Sequence, residues 1–488
     1  MAAINLKDIS LLRQQSYIDG TWCNAESGQV ATVVNPATGI SLATVPNMGA
    51  SETRYAILAA QAAQPLWRAK TAAERSCILR KWFELIMANQ EDLALLMTSE
   101  QGKPLSESRG EIAYGASFIE WFAEEAKRVY GDVIPAPQKD KRIIVTKEPI
   151  GVCAAITPWN FPTAMITRKA GPALASGCAM VLKPDIRTPL SALALAELAE
   201  RAGVPKGIFS VITGNAVAIG MEMTSNPIVR KISFTGSTAV GSKLMAQSAP
   251  SIKKLSLELG GNAPFIVFED ADIDAAVQGA LSSKYRNAGQ TCVCTNRFLV
   301  QDSVYDEFSS KLAAAVALLK VGNGLDAGVT QGPLIDETAV KKVESLIDDA
   351  KLKGAKILTG GKRHFLGLTY FEPTIVTEVT ASMRMAKEEI FGPVAPLFRF
   401  KDEQDAIQMA NDTEFGLVAY FYARDVSRVW RVSEALEYGM VGVNTGLISN
   451  EVAPFGGMKS SGLGREGSKY GIEDYLEVKY VCMGIAGA

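Results

Sequence analysis

Apolar positions along this chain change rhythm twice. Between about residues 50 and 130 they recur at three- and four-residue spacing, in "SETRYAILAAQAAQPLW" and "AAERSCILRKWFELIMANQEDLALLMTSEQGK", which predicts amphipathic helices. Residues 129–150, "VYGDVIPAPQKDKRIIVTKEPI", read as an extended hairpin around a Pro-rich turn. From about 150 onward, short apolar runs alternate with helical stretches. "VCAAI" (152–156) precedes "TAMITRKAGPALASG" (163–177), and "CAMVLK" (178–183) precedes "PLSALALAELAERAG" (189–203). "FSVIT" (209–213), "GNAVAIGMEMTSN" (214–226), "RKISFTG" (230–236) and "STAVGSKLMAQSA" (237–249) continue the series, and "KKLSLELGG" (253–261) leads to "APFIVF" (263–268). Strands alternating with helices indicate βαβ units and a parallel, doubly wound sheet. Such sheets bind nucleotides beyond the carboxyl ends of their strands. A second α/β pattern runs from Cys292 to about 445, and the tail "YGIEDYLEVKYVCMGI" again looks extended. The hairpin and tail belong to neither pattern, so they read as sheet edges that pair with another subunit.

At 488 residues the chain is too long for one core, so two or three domains are expected. A net charge of −2 argues against nucleic-acid or anionic-membrane partners. No apolar run reaches the length of a membrane span, and no secretory signal opens the chain, so a cytoplasmic protein is expected. Seven scattered cysteines do not form a disulfide framework, in keeping with a reducing compartment.

The chain holds one histidine, His364, in the polar segment "GGKRHFLG". Any Cys–His or Ser–His–Asp mechanism would have to use it, and its setting reads as a surface loop. Cys292 and Cys294 give a C-x-C with no matching second pair, so no metal site is expected.

Four stretches carry candidate chemistry. Cys292 follows "AAVQGALSSKYRNAG" (275–289), read as a helix ending at Gly289, and is flanked by Gln290 and Thr291. A thiolate is favoured by a nearby positive charge, and Arg286 lies six residues earlier; the alternative is a buried core cysteine. Glu258, in "LELGGNAP", ends a predicted strand where partial burial would raise its pKa toward the range of a general base; a solvated strand end is the alternative. Asn160, in "TPWNFP", precedes a helix and would serve either as an oxyanion donor or as an N-cap. In "FTGSTAVG", Gly236 opens the helix after a strand, and the free N–H groups there suit a phosphate, although the motif is not G-x-G-x-x-G.

The order and spacing of these motifs resemble the aldehyde dehydrogenase superfamily over essentially the whole chain. The resemblance rests on "TPWNFP", "LKP" with Lys183, "FTGST", "LELGGNAP", "NAGQTC", "EEIFGP" (388–393) and "PFGGMKSSGLGREG" (454–467). The longer stretches "NAGQTCVC", "EVAPFGGMKSSGLGREGSKYGIEDYLE" and "MITRKAGPALASGC" are similar to its succinate-semialdehyde dehydrogenase branch. The resemblance implies two doubly wound α/β domains plus a β-hairpin oligomerisation element. A dinucleotide-binding domain would span 1–128 and 150–260, a catalytic domain 261–460, and oligomerisation elements 129–149 and 470–488. It implies Cys292 as nucleophile, Asn160 with the Cys292 N–H as oxyanion donors, and Glu258 as the base that hydrolyses a thioester. It puts Glu389 and Phe391 at the nicotinamide, Trp159 and Ser237 near the pyrophosphate, and Lys183 at the adenosine ribose. Arg168, Arg286 and Ser449 match the positions that hold a distal substrate carboxylate; for Arg168, alone on a helix, half of a surface salt bridge is the alternative.

NAD-preferring relatives carry a glutamate three residues after that lysine, where "KPDIRTP" has Ile186. Lys183 and Arg187 would attract a 2′-phosphate and Asp185 would oppose one, so NADP is expected ahead of NAD. The expected substrate is succinate semialdehyde, with glutarate semialdehyde or a broader aldehyde range as alternatives. A CoA-acylating enzyme would not need Glu258, and a silent scaffold would not need Cys292, Glu258 and Asn160 intact. The resemblance implies a homo-oligomer, a dimer of dimers. Relatives sharing C-x-C imply a reversible Cys292–Cys294 link under oxidation, against plain loop packing of Cys294.

Overall fold

The computed structural model describes residues 4–486, which build two sheets side by side with a helical layer against the first. Five parallel strands form the centre of the first sheet, in the order Phe209–Val211, Ala179–Lys183, Val152–Ile156, Val229–Thr235, Lys254–Glu258. Chain order along this sheet is third, second, first, fourth, fifth, so the winding direction reverses between Val152–Ile156 and Val229–Thr235. The strands are buried on both faces, which is why they read as unbroken apolar runs. Residues 16–23 add two antiparallel strands at one edge, and Gly462–Leu463 closes the other.

Helices Ala164–Ser176 and Pro189–Ala202 are almost wholly buried between the sheet and the helices Ala72–Ala88, Gln90–Gln101 and Leu105–Glu125, while Ala50–Ala69 packs directly on the strands beside Ala216–Ser225. Two fully buried tryptophans join the layers. The Trp67 indole N–H donates to the Leu174 carbonyl at 3.0 Å and that of Trp82 to Leu195 at 3.2 Å. Truncating either to alanine would cost about 3–5 kcal/mol.

The second sheet is mostly parallel and runs Lys356–Thr359, Thr374–Thr377, Val394–Phe400, Thr295–Gln301, Ala263–Val267, Val418–Tyr422, Met440–Val443. The apolar run at 263–268 therefore belongs to this sheet and does not continue the first series. Its ladder partners are Thr295–Gln301 and Val418–Tyr422, both distant in sequence.

The hairpin strand Lys141–Pro149 pairs with the tail strand Leu476–Gly484 of the same chain through nine antiparallel positions, and with Asp132–Ile134 on its other side. Hairpin and tail thus satisfy each other first. The two outer strands remain edges and expose Val133, Val478, Tyr480 and Met483.

One helix is shorter than its pattern suggests. Ile273–Lys284 stops five residues before Gly289, and Asn287, Ala288 and Gly289 follow in the left-handed region at φ 50°, 54° and 74°. Gly289 is required there, because a Cβ would meet the Gly392 carbonyl oxygen at 2.2 Å.

Candidate active site

The reversal in strand order fixes the main cleft. Pro158, Trp159 and Asn160 follow the strand ending at Ile156, Gly236 and Ser237 follow Thr235, and Leu259 and Gly260 follow Glu258; all line one cleft. The second sheet contributes Cys292, Glu389 and Phe391 from the facing wall, and helix Glu337–Leu352 contributes Ala339 and Lys342.

Ser237 is the N-cap of helix Thr238–Ser248, so this helix starts two residues after Gly236, and its amino end opens on the cleft. The turn before it is tight: a Cβ on Gly236 would sit 2.4 Å from the Phe234 ring. Trp159 and Phe391 meet edge to face, centroids 5.6 Å apart, and Phe391 holds a left-handed φ of 54°. Such a backbone costs on the order of 1–3 kcal/mol and persists where its surroundings impose it. Glu389 accepts from the Gly261 N–H at 3.1 Å, and burial raises its pKa. The helix amino end, the tight glycine turn and the aromatic slot fit a dinucleotide.

Lys183 ends its strand almost buried, and no carboxylate among the described residues pairs with it. Arg187 is held by Asp185 through Nε and Nη2, both at 2.9 Å, and by Asp336 at 2.8 Å, with its guanidinium 5.1 Å from the Trp159 ring. Its charge is therefore already matched, and so is that of Asp185. Ile186 packs on the core of the first sheet.

Cys292 stands between this cleft and a second, narrow chamber. The chamber is lined by Arg168, Arg286 and Ser449, together with Tyr114, Phe161 and Phe455. Arg168 is no surface residue: 1% of its side chain is exposed, its Nε lies 2.7 Å from Glu466 Oε2, and its guanidinium lies 3.8 Å from the Phe455 ring centroid. Arg168 Nη2, Tyr114 Oη and Thr291 Oγ1 are buried without a hydrogen-bond partner. Buried polar atoms rarely stay unpaired, so these donors are free for a ligand oxygen. Arg286 lies over Phe161 and forms no ion pair among the described residues.

The thiol is not activated in this resting arrangement. Burial pushes Cys292 up to about 12, with Arg168 the leading influence in the other direction, and the Glu389 and Glu258 carboxylates push it further up. The expected help from Arg286 is weaker than that of Arg168. Glu258 is 3% exposed, with Oε2 unpartnered, and burial followed by the nearby Glu466 carboxylate raises it well above the ordinary carboxylate range. Asn160 is not an N-cap, since Thr163 occupies that position. Its Nδ2 donates to the Gln290 carbonyl at 3.0 Å, which leaves one amide hydrogen for a ligand. The Cys292 N–H donates to no acceptor among the described residues.

His364 lies against Phe365, the rings tilted at 36°, in the loop after Lys356–Thr359, and lines neither cavity. Both Cys292 and Cys294 are free thiols. Sequence reasoning passed over Tyr114, which looks like any aromatic on a buried helix face, and over Thr291, Lys342 and Glu466. Glu466 lay inside the quoted "PFGGMKSSGLGREG", but only the fold brings it to Arg168 and to Lys169, at 2.5 Å.

Comparison with known proteins agrees with this architecture. The family model for the aldehyde dehydrogenase family matches residues 22–481. A glutarate-semialdehyde dehydrogenase of Pseudomonas aeruginosa is 69% identical, covering 99% of this chain and 100% of that one. A succinate-semialdehyde dehydrogenase [NADP(+)] of Escherichia coli is 68% identical over 99% of this chain and 100% of its own. The crystal structure of a succinate-semialdehyde dehydrogenase from Burkholderia pseudomallei superposes with a TM-score of 0.98, at 68% identity and with 99% and 100% of the two chains covered. This chain belongs to the aldehyde dehydrogenase family.

Proposed function

We propose that the protein oxidises a short aldehyde bearing a terminal carboxylate, succinate semialdehyde first and glutarate semialdehyde as the alternative, to the corresponding acid with NADP or NAD. The observation that carries this reading is the chamber beside Cys292, where two arginines and a serine converge. An arginine fork suits a carboxylate, and a buried guanidinium with a free edge suits it further. Lengths of four and five carbons differ by one methylene, worth only about 10–200-fold in discrimination, so both substrates stay in view.

In this reading Arg168, Arg286 and Ser449 hold the carboxylate while the aldehyde carbon meets the Cys292 sulfur. The thiol must lose its proton before it attacks, and the Arg168 charge is the leading influence that favours the thiolate. The Asn160 amide and the Cys292 N–H receive the oxygen as it gains negative charge. What the dinucleotide supplies when bound is an acceptor for the hydride that the carbon must lose. Trp159, Gly236, Ser237, Glu389 and Phe391 would hold that cofactor against Cys292, and Lys183 its adenosine end. Glu258 then takes a proton from the water that hydrolyses the Cys292 thioester.

The absence of a carboxylate at Ile186 favours NADP, with Lys183 as the cation for a 2′-phosphate. Arg187, already matched by Asp185 and Asp336, contributes less. Residues 1–128 with 150–260 would form the cofactor domain, and 261–460 the catalytic one. The exposed apolar edges at 132–134 and 476–484 support self-association, with a dimer of dimers as the expected form. No described helix is long and apolar enough to cross a membrane. Seven free cysteines suit a cytoplasmic setting.

The test is cofactor reduction with succinate semialdehyde, glutarate semialdehyde and uncharged butanal, each with NADP and NAD and without CoA. The charged substrates should exceed butanal in kcat/KM by a hundredfold or more, as expected from about 3 kcal/mol of charged hydrogen bonding. Equal rates for butanal would remove the carboxylate pocket from the reading.

A further inference from the structure

Lys103 is a lysine buried at the heart of the protein. It sits at the corner between helices Gln90–Gln101 and Leu105–Glu125 with 1% of its surface exposed. Its ammonium donates to Glu111 Oε2 at 2.6 Å and to the main-chain carbonyl of Asn160 at 2.7 Å, and lies 3.9 Å from the Phe161 ring centroid. Burying such a pair seldom adds stability over well-packed apolar residues, so its presence calls for a role in specifying geometry.

The surrounding contacts converge on the same peptide. The Asn160 carbonyl also accepts from Asn287 Nδ2 at 3.1 Å, and the same amide nitrogen reaches the Gln290 carbonyl at 3.2 Å. Gln290 is two residues before Cys292, and its carbonyl is also the acceptor of the Asn160 side chain. The other oxygen of Glu111 accepts from the Thr163 and Ala164 N–H groups at 2.9 and 3.2 Å, at the start of the helix that carries Arg168. Lys103 has little freedom to follow a moving loop. Its own N–H donates to Gln101 Oε1, and Gln101 Nε2 in turn donates to Asn287 Oδ1, both at 2.9 Å. Gly332 approaches the preceding peptide so closely that a Cβ there would lie 2.0 Å from the Gly102 oxygen.

We propose that Lys103, braced by Glu111, is a positioning residue that fixes the Asn160 main chain so that the Asn160 amide stays in register with the Cys292 sulfur. The inference rests on Asn160 being the oxyanion donor. With the carbonyl of residue 160 anchored on one side and the Gln290 carbonyl on the other, the remaining amide hydrogen keeps one direction. Lys103 touches neither substrate nor cofactor in this scheme and acts only through Asn160.

The experiment is a double-mutant cycle of Lys103→Met and Asn160→Ala in the full-length enzyme, with kcat and KM measured separately. Lys103→Met strands the Glu111 carboxylate, so Lys103→Met/Glu111→Gln is run in parallel as a variant without an unpaired buried charge. Asn160→Ala should lower kcat by about 10²–10³-fold, the usual cost of one oxyanion donor. Lys103→Met should lower kcat by about tenfold or more with KM little changed, and combined with Asn160→Ala it should add nothing further. Multiplying losses in the combined variant would overturn the positioning role while leaving Asn160 as the donor, as would a Lys103 loss that only follows the folded fraction seen by thermal unfolding. An undiminished kcat in Asn160→Ala would overturn both, and so tells the two failures apart.

Discussion

Arg168 and Glu466 face each other as a buried ion pair, Nε to Oε2 at 2.7 Å, while Arg286, across the same chamber, pairs with no carboxylate among the described residues. The two arginines should therefore fail differently. In the proposed reading, Arg286→Leu removes a substrate contact without stranding a charge. It should lower kcat/KM for succinate semialdehyde by about 10–100-fold, leave butanal near its parent rate and leave Tm unchanged. Arg168→Leu should show the same substrate loss and also a lower Tm, because breaking a buried pair from one side costs about 3–5 kcal/mol. Steady-state kinetics with both aldehydes and a thermal melt check this. Equal losses for butanal would argue that the arginines serve folding rather than recognition.

Much of this site was legible in the chain because its parts follow buried strands. Runs such as Val152–Ile156 and Ala179–Lys183 announce parallel strands, and the residues just after them must reach the cleft. Glu258 and Asn160 stood out for the same reason, as polar groups at or just after the ends of apolar runs, and Cys292 as a thiol among polar residues in the loop after a helix. Other features have no local signature. Asn287 and Ala288 are left-handed because tertiary contacts hold them, so the helix there looked longer than it is. Ala263–Val267 chose its sheet through partners beyond 290 in the chain. Lys103, Tyr114 and Glu466 carry no local sign of their settings; only the fold brings Lys103 to Glu111 and Asn160, Tyr114 to the chamber, and Glu466 to Arg168.

Burial sets the reactivity of Cys292 in the ligand-free protein. Its raised pKa means that the neutral thiol dominates below about 12, and the thiolate fraction grows with each unit of rising pH until then. Alkylation of Cys292 by iodoacetamide should accelerate about tenfold per pH unit between pH 7 and 9, since the thiolate is the reactive form. Mass spectrometry of the peptide containing Cys292 gives the rate. A plateau above pH 8 would mean that the thiol is activated before any ligand binds.

Glu258 has the same sign. A carboxyl whose pKa is raised acts as a base only once the pH climbs through that value, so the hydrolytic step should quicken with rising pH and level off once Glu258 is ionised. Glu258→Gln should cut the steady-state rate by about 10²–10⁴-fold while sparing the first turnover. Rapid mixing would then record a burst of reduced cofactor, and intact mass would show an acyl group on Cys292. Joint loss of burst and steady state would move Glu258 to a step before thioester formation.

In the proposed reading, cofactor choice turns on Ile186, a side chain that is apolar here. Ile186→Glu would add a carboxylate on the loop that follows Lys183, in a place with no other unmatched negative charge, since Asp185 is committed to Arg187. Repulsion of a 2′-phosphate should lower the NADP/NAD ratio of kcat/KM by about tenfold, equivalent to about 1.4 kcal/mol. An unchanged ratio would show that residue 186 does not face the ribose.

Cys294 offers a last test, of control rather than chemistry. In an extended strand its Cα would lie nearly 7 Å from that of Cys292, about the limit for a disulfide. The chain is not extended here: the Cys294 N–H closes a turn on the Thr291 carbonyl at 3.0 Å. The Cys294 sulfur is buried and lies 3.6 Å from the Lys284 oxygen and 3.3 Å from that of Thr295, contacts it must leave to reach Cys292. Those contacts are weak thiol hydrogen bonds, so a side-chain rotation has little to overcome. Peroxide would convert the Cys292 thiolate to a sulfenic acid, and the Cys294 thiol would then displace its oxygen as water to form the S–S bond. The parent should lose activity to peroxide, lose about 2 Da from the linked peptide, and recover with dithiothreitol. Cys294→Ala should go on to the sulfinic acid and stay inactive. Recovery of that variant equal to the parent's would leave Cys294 as loop packing alone.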